Sequence, residues 1–171
     1  YSQWGKRTKQ LANALKSLDL KQGDKVGTLA WNGYRHLEIY YATSSSGLVC
    51  HTINPRLHPD QISYIVNHAE DKVLCVDLNI LPLVEKASKN FKTVKTLLVM
   101  TDEKNMIKPK LVSDIQVLCY ETFIENQSNV FSWPKLDEKT ASSLCYTSGT
   151  TGNPKGVLYT HRSTVLHAYG M

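Results

Sequence analysis

A run of eleven residues, 146–156, concentrates side chains that can bind phosphate. It reads Tyr-Thr-Ser-Gly-Thr-Thr-Gly-Asn-Pro-Lys-Gly, with five hydroxyls, three glycines and one lysine. Glycine lets the backbone turn tightly and approach a ligand closely, and exposed N–H groups and hydroxyls donate hydrogen bonds to phosphate oxygens. The residues on either side favour strands. The sequence therefore predicts a hairpin loop that cradles a polyphosphate.

The run differs from two well-known nucleotide-binding loops. A Walker-type loop requires Ser or Thr directly after the lysine and then a helix, whereas Lys155 is followed by Gly156 and a β-prone run. The dinucleotide-binding pattern Gly-x-Gly-x-x-Gly is absent from the chain. Clusters of Ser, Thr, Gly and Pro also occur in solvated surface turns, and that alternative stays open for residues 149–152 taken alone.

The complete run resembles the phosphate-binding loop of the adenylate-forming enzymes, which include acyl-CoA synthetases, firefly luciferases and the adenylation domains of peptide synthetases. Residues 146–156 match that family's pattern, Tyr-Thr-Ser/Thr-Gly-Thr-Thr-Gly-x-Pro-Lys-Gly, at each specified position. Residues 51–71 are similar to the N-terminal region of fatty-acyl-CoA synthetases, where an Asn-Pro-Arg-Leu turn precedes a helix ending in Asn-His-Ala-Glu-Asp. The resemblance covers nearly the whole chain, although residues 101–139 match weakly.

The resemblance implies an ATP-dependent fatty-acid–CoA ligase of fatty-acid metabolism. Such an enzyme joins a carboxylate to ATP, which gives acyl-AMP and pyrophosphate, and then transfers the acyl group to CoA. Two kinds of alternative stay open. One is the adenylation of another carboxylate, such as an aryl or amino acid, including a luciferase-like oxidase. The other is a non-catalytic nucleotide-binding or scaffold protein that keeps the loop.

The resemblance also assigns roles to residues of the run. Four residues would donate hydrogen bonds from their hydroxyls to the β- and γ-phosphates of ATP: Thr147, Ser148, Thr150 and Thr151. Gly149 and Gly152 would let backbone amides approach the phosphates. Lys155 would offset phosphate charge and, with Thr151, act in catalysis. Thr147 would also lie near Mg²⁺.

The helix expected after the run carries two histidines, His161 and His167. In fatty-acyl relatives this helix borders the acyl pocket, so the resemblance places both histidines near the acyl substrate. The alternative is a partly packed histidine that is hydrogen-bonded to the backbone, as amphipathic side chains often are. None of the six histidines forms an i, i+4 pair or a His-Glu-x-x-His motif, which argues against a zinc site.

The spacing of apolar residues predicts alternating helices and strands. Helices are expected over residues 2–18, 34–46, 60–68, 81–90, 120–126 and 161–169. Strands are expected over residues 25–31, 48–53, 72–77, 96–101, 115–119, 144–146 and 156–160. This alternation is typical of an α/β domain with a mostly parallel sheet flanked by helices. We expect Trp31, Tyr40 and Tyr41 to pack in the core or between helices, and Tyr146 to pack beneath the nucleotide.

Members of the family that the chain resembles are much longer than 171 residues. We therefore expect residues 1–171 to be an incomplete N-terminal AMP-binding domain, with the phosphate loop at 146–156 and the C-terminal domain absent. The adenine-contacting motif, the ribose-binding aspartate and the catalytic lysine of the C-terminal domain would lie outside it. We expect the chain alone not to form acyl-AMP and to leave apolar faces uncovered.

Composition narrows the class of partner. The net charge of +5 comes from Lys and Arg dispersed among Asp and Glu, so we expect no nucleic-acid partner. The four cysteines lie in apolar runs without a Cys-x-x-Cys pair, which suits reduced thiols in a reducing compartment. The sequence contains no stretch of about 18 apolar residues, so we expect no membrane-spanning helix. We expect a cytoplasmic protein, with peripheral membrane contact and homo-oligomerisation left open.

Overall fold

A seven-stranded sheet forms the centre of the computed structural model, which describes residues 1–112, 114–147 and 153–171. In chain order its strands are β1 (Lys25–Leu29), β2 (Val49–Thr52), β3 (Val73–Val76), β4 (Thr96–Val99), β5 (Gln116–Cys119), β6 (Ala141–Thr147) and β7 (Lys155–Thr160). Their spatial order is β5-β4-β3-β1-β2-β6-β7. The first six strands are parallel to their neighbours, and β7 is antiparallel to β6.

Helices connect the strands and cover the sheet. They are α1 (Ser2–Lys16), α2 (Tyr34–Ser45), α3 (Pro59–Ala69), α4 (Leu81–Ser88), α5 (Tyr120–Glu125) and α6 (His161–Tyr169). Short 3₁₀ turns occupy Leu78–Ile80 and Glu103–Asn105. The predicted α/β class and the predicted order of elements are confirmed, and the ends of the elements differ from the predictions by a few residues.

Side chains of the parallel strands alternate between two cores on opposite faces of the sheet. In β3, Val73 and Cys75 pack on the face that α1, α2 and α5 cover. Leu74 and Val76 pack on the face that α3 and α4 cover. Because both faces are buried, such strands read as continuous apolar runs rather than as alternating ones. This explains why the sequence predicts β3 and β4 from short, continuous apolar runs.

An ion cluster joins α1, α2 and α5. Arg7 donates to both oxygens of Glu38, at 2.7 and 3.1 Å, and to Glu121 at 2.8 Å. The Glu38 side chain is only 1% exposed, and it also accepts a 2.7 Å hydrogen bond from Tyr120 Oη. Arg35 donates to Glu121 at 2.7 Å. The two arginines therefore balance the two carboxylates at the junction of the three helices.

One packing prediction is wrong. Trp31 is 46% exposed, because it lies two residues beyond the end of β1 at Leu29, where the chain has left the sheet and α2 has not yet begun. Tyr41 does pack between helices, since its ring meets Trp4 of α1 edge-on at 4.9 Å, although 51% of Tyr41 stays exposed.

Exposed apolar side chains concentrate on two surfaces. Those of α2 are Tyr34, Leu37, Tyr40 and Tyr41, and those of β7 and α6 are Val157, Leu158, Tyr159, Val165, Leu166 and Tyr169. No helix within the described ranges is long and apolar enough to cross a bilayer. The four cysteines are free, with Cys50 and Cys75 buried in the sheet.

Candidate functional site

The predicted phosphate loop connects the antiparallel strands β6 and β7. Thr147 pairs with Lys155, and Tyr146 pairs with Gly156. Residues directly opposite each other on such a pair have Cβ atoms roughly 4.5–5.5 Å apart and point to the same face. Successive residues alternate between faces. Thr147 and Lys155 therefore share one face of the hairpin, and Tyr146 projects from the other.

The structure brings together the described residues of the predicted phosphate site. Thr147 and Lys155 lie at the two ends of the loop, and both are exposed. The other predicted phosphate ligands lie outside the described residues: Ser148, Gly149, Thr150, Thr151 and Gly152. Their contacts stay predictions. A threonine hydroxyl and a lysine ammonium are thus available to a ligand at the base of the loop.

The loop starts at the edge of the sheet where parallel α/β proteins bind ligands. It leaves the carboxyl end of β6, which runs parallel to β2, with Thr52 paired to Cys145. Ligands of open α/β sheets bind outside the carboxyl ends of the strands. Cys145 Sγ lies 3.2 Å from Thr52 Oγ1, and this contact joins the two strands just before the loop.

Helix α6 follows the hairpin and carries both predicted substrate-binding histidines. Thr160 caps the helix by accepting a 3.0 Å hydrogen bond from Ser163 N, which fixes the start of the helix at His161. His161 is half-buried and His167 is exposed. Six residues at 3.6 per turn place the two side chains about 120° apart around the helix. The structure therefore does not bring the two histidines together on one face.

Tyr146 is held against the inner side of the hairpin. A Cβ at Gly156 would lie only 3.2 Å from Cζ of Tyr146, so the tyrosine ring uses the space that the glycine leaves. Tyr146 Oη lies 2.6 Å from Nδ1 of His68 on α3. Burial raises the pKa of Tyr146 to about 12, so the phenol is uncharged near neutral pH.

A buried, hydrogen-bonded histidine–aspartate pair lies beside Tyr146. His51 Nδ1 is 2.8 Å from Asp71 Oδ2, both side chains are 0% exposed, and the rings of His51 and Tyr146 are 5.2 Å apart. Asp71 reaches β2 across Gly27, where a Cβ would lie 3.0 Å from Asp71 Oδ2. Burial raises the pKa of Asp71, and the hydrogen bond to His51 acts in the opposite direction.

Sequence reasoning missed this pair. The available signal was a histidine inside the predicted buried strand 48–53, because a polar group buried in a sheet requires a partner. The cost of leaving such a group unpaired is of order 1–3 kcal/mol. Neither the position of His51 nor that of Asp71 identified the other as its partner.

The described residues do not by themselves build a magnesium site. Within them, no group of three or more His, Cys, Asp or Glu side chains is placed to hold a metal ion. Thr147 contributes one exposed hydroxyl. Magnesium is usually held by one or two carboxylates together with substrate phosphates and water. The predicted role of Thr147 beside Mg²⁺ therefore stays a prediction.

Comparison with known proteins identifies the family. The model of the AMP-binding enzyme family matches residues 1–171. The chain is 50% identical over 169 residues to the 3-methylmercaptopropionyl-CoA ligase of Ruegeria lacuscaerulensis, covering 97% of this chain and 31% of that protein. It is 48% identical over 162 residues to the medium-chain-fatty-acid–CoA ligase of Ectopseudomonas oleovorans, covering 95% of this chain and 29% of that protein. The chain belongs to the AMP-binding enzyme family.

A solved structure agrees with this assignment. The anthranilate CoA ligase in complex with anthranoyl-AMP superposes with a TM-score of 0.88 at 27% identity, covering 98% of this chain and 31% of that one. The fold of the described residues is thus that of an AMP-binding enzyme. The chain spans less than a third of the length of these relatives.

Proposed function

We propose that the intact protein is an ATP-dependent acyl-CoA ligase that activates a fatty acid or a related aliphatic carboxylate. The observation that carries this proposal is the closing pair of the loop, Thr147 opposite Lys155, at the carboxyl end of a parallel strand. Membership of the AMP-binding enzyme family supports it. The substrates named for the two bacterial relatives, a medium-chain fatty acid and 3-methylmercaptopropionate, support an aliphatic substrate.

The first half-reaction would form acyl-AMP. A carboxylate oxygen attacks the α-phosphorus of ATP, the bond to the bridging oxygen breaks, and pyrophosphate leaves with the electron pair. Carboxylate and triphosphate repel each other, so the loop has to offset negative charge. A single cation–anion contact at 4 Å is of order 4 kcal/mol at an effective dielectric near 20, before desolvation is subtracted.

The residues of the loop would supply this charge compensation. Lys155 would pair with the phosphates, and the hydroxyls of Thr147, Ser148, Thr150 and Thr151 would donate to the departing pyrophosphate. Mg²⁺ is held mainly by substrate phosphates and water in sites of this kind. It would therefore arrive bound to ATP and lie beside Thr147. Gly149 and Gly152 would leave room for backbone amides to approach.

The second half-reaction would form the thioester. The sulfur of CoA attacks the acyl carbon, the bond to the AMP oxygen breaks, AMP leaves, and the thiol proton passes to solvent. Pyrophosphate is gone by then, so the loop should matter much less for this step. His161 or His167 would border the acyl chain, and their separation around α6 lets only one of them face a given side of it.

A reducing cytoplasm is the compartment that we propose. The free cysteines, two of which are buried in the sheet, suit such conditions. Peripheral contact with a membrane and association with a second copy would be compatible with the exposed apolar side chains of α2 and α6.

ATP–pyrophosphate exchange by the intact protein tests the proposal. We expect exchange that depends on an added carboxylate, with medium-length aliphatic acids favoured over benzoate, anthranilate and amino acids, followed by release of AMP when CoA is added. Strong preference for an aryl acid would favour the alternative substrate class that the anthranilate ligase represents. Nucleotide binding without exchange for any carboxylate would refute the enzyme and favour a binding protein.

A pair of substitutions tests the role of the loop. Thr150→Val combined with Thr151→Val should slow the exchange by a factor of about 10² or more, since it removes charge-stabilising donors. Thioester formation from supplied acyl-AMP should change much less. Thr122→Val, on the exposed side of α5, is the matched control. An equal fall in both half-reactions would show that the loop does not act on pyrophosphate.

A further inference from the structure

The first residue of the phosphate loop is held from two sides on the face of the sheet that α3 covers. Tyr146 pairs with Gly156 through the backbone, and its ring lies against that glycine. Its hydroxyl reaches His68 near the end of α3, and its ring lies beside His51 of β2. Thr147 follows directly and points to the opposite face. The position of Tyr146 therefore sets the position of Thr147.

His68 is itself placed by its neighbours on α3. Its ring stacks on Tyr64 one turn earlier, at 5.4 Å with an angle of 27° between the planes. The ring of Tyr146 meets His68 edge-on at 5.8 Å. The 2.6 Å hydrogen bond lies between Oη of Tyr146 and Nδ1 of His68, and the histidine tautomer sets which group donates. His68 thus presents Nδ1 to Tyr146 from a helical support.

His51 lies beside the same ring, with the ring centroids 5.2 Å apart. Its Nδ1 is fixed by Asp71, and its buried Nε2 has no hydrogen-bond partner among the described residues. A neutral imidazole that donates Nδ1–H to the carboxylate leaves only a lone pair at Nε2, which is the less costly state for an unpaired buried nitrogen. The ring of Tyr146 therefore lies beside a fully buried, hydrogen-bonded pair.

We propose that His68 is a positioning residue of the phosphate loop, and that its hydrogen bond to Tyr146 fixes the start of the loop so that Thr147, opposite Lys155, meets the departing pyrophosphate. This inference rests on the function proposed above. Donors that are already oriented stabilise developing charge without reorganisation, and a small displacement of aligned groups lowers the rate strongly.

The exposure of His68 separates this role from a contribution to folding. His68 lies at the surface, and the hydrogen bond that it makes is exposed on that side. Loss of one such bond should lower the melting temperature by only a few degrees. The protein should therefore stay folded at the assay temperature, and the loss should appear in the rate of adenylation.

The two half-reactions provide the test. In the intact protein, Tyr146→Phe removes the hydroxyl and keeps the ring, and His68→Leu removes the partner. We expect each variant to lower kcat of ATP–pyrophosphate exchange about tenfold, the order of effect of one hydrogen bond. Thioester formation from supplied acyl-AMP and CoA should stay within a factor of about two. A merely structural defect would lower both steps by the same fraction.

Two further variants complete the test. His68→Asn should recover most of the exchange rate, because its side-chain amide occupies the place of Nδ1 and can hydrogen-bond the phenol. Tyr159→Phe, on the neighbouring strand and 44% exposed, is the matched control and should behave like the unmodified protein. If His68→Asn is as slow as His68→Leu, the hydrogen bond is not what positions the loop.

The outcomes also separate this inference from the function on which it rests. Absence of carboxylate-dependent exchange in the unmodified protein would overturn both. Normal exchange in the unmodified protein together with normal exchange in Tyr146→Phe and His68→Leu would overturn the positioning role alone. Selective loss of exchange in both variants, with recovery in His68→Asn, would establish it.

Discussion

Replacing Arg7 by methionine should destabilise the protein strongly, because it leaves the buried carboxylate of Glu38 without its charged partner. The Glu38 side chain is 1% exposed and receives two hydrogen bonds from Arg7. After the change its remaining partner among these groups is the hydroxyl of Tyr120, at 2.7 Å. Methionine fills the stem volume of the arginine but supplies no charge. The experiment therefore isolates the loss of the guanidinium.

The size of the effect follows from the burial of the pair. Breaking a buried ion pair by removing one partner costs about 3–5 kcal/mol, because the other charge is left uncompensated. Burial acts to lower the pKa of Arg7, but the hydrogen bonds that Arg7 donates to Glu38 and Glu121 outweigh it and raise the pKa above its ordinary value. Arg7 is itself 20% exposed, so we place the expected loss near the lower end of the range, at about 3 kcal/mol.

The opposite deletion should cost less. Glu38→Leu leaves Arg7 with Glu121, which it contacts at 2.8 and 3.1 Å. The main penalty is then the orphaned hydroxyl of Tyr120, of order 1–3 kcal/mol. When Arg7→Met and Glu38→Leu are combined, no uncompensated carboxylate remains at position 38. The double variant should therefore be more stable than Arg7→Met alone.

Urea unfolding followed by circular dichroism measures these differences. With a slope of about 2 kcal/mol/M, a loss of about 3 kcal/mol moves the midpoint down by about 1.5 M. Arg56→Met, in an exposed turn, is the matched control and should stay within about 0.5 kcal/mol of the unmodified protein. The reasoning is refuted if Arg7→Met loses less than about 1 kcal/mol, or if adding Glu38→Leu lowers stability further.

Two other predictions concern the sheet. Gly27→Ala should lower the free energy of unfolding by about 1–3 kcal/mol in the same assay. The reason is that the new Cβ would lie 2.9 Å from a leucine side chain. Gly5→Ala, whose Cβ would have nothing within 4 Å, is the control and should show no loss. Burial raises the pKa of Cys50 and Cys75 above the ordinary 9.0. Both should resist iodoacetamide in the native protein, as followed by mass spectrometry, while half-buried Cys119 and Cys145 react first. Because these native thiols stay protonated, their contribution to stability is complete below pH 9.0 and declines as the pH rises above it. Equal alkylation of all four cysteines would contradict their placement.

The helices and strands could be predicted from the sequence because their signals are local. Apolar residues recur at helical spacing in α1 and α3, and short apolar runs mark β3 and β4. The order of the strands could not be obtained in this way. The placement of β1 between β3 and β2 depends on pairings between segments far apart in the chain. Trp31 shows the same limit, since the end of a strand decides whether an aromatic side chain is covered.

The candidate site, too, could be predicted from the sequence only in part. The residues of the predicted phosphate loop are contiguous, so its hydroxyls, glycines and lysine stand side by side in the sequence and together indicate phosphate binding. The contacts that hold it are not contiguous: His51 and Asp71 are 20 residues apart, and His68 and Tyr146 are 78 residues apart. A sequence shows that a buried histidine requires a partner, but the fold decides which residue supplies it.

Two strand glycines connect the packing of the sheet to the geometry of the site. Glycine normally weakens a strand, and inside one it often marks a close approach of other groups. Gly27 leaves the space through which Asp71 reaches His51, and Gly156 leaves the space in which the ring of Tyr146 lies. A side chain at position 27 would push the aspartate away from the histidine, and one at position 156 would push the tyrosine off the hairpin. Both glycines thus leave the space in which the side chains beside the predicted phosphate loop lie.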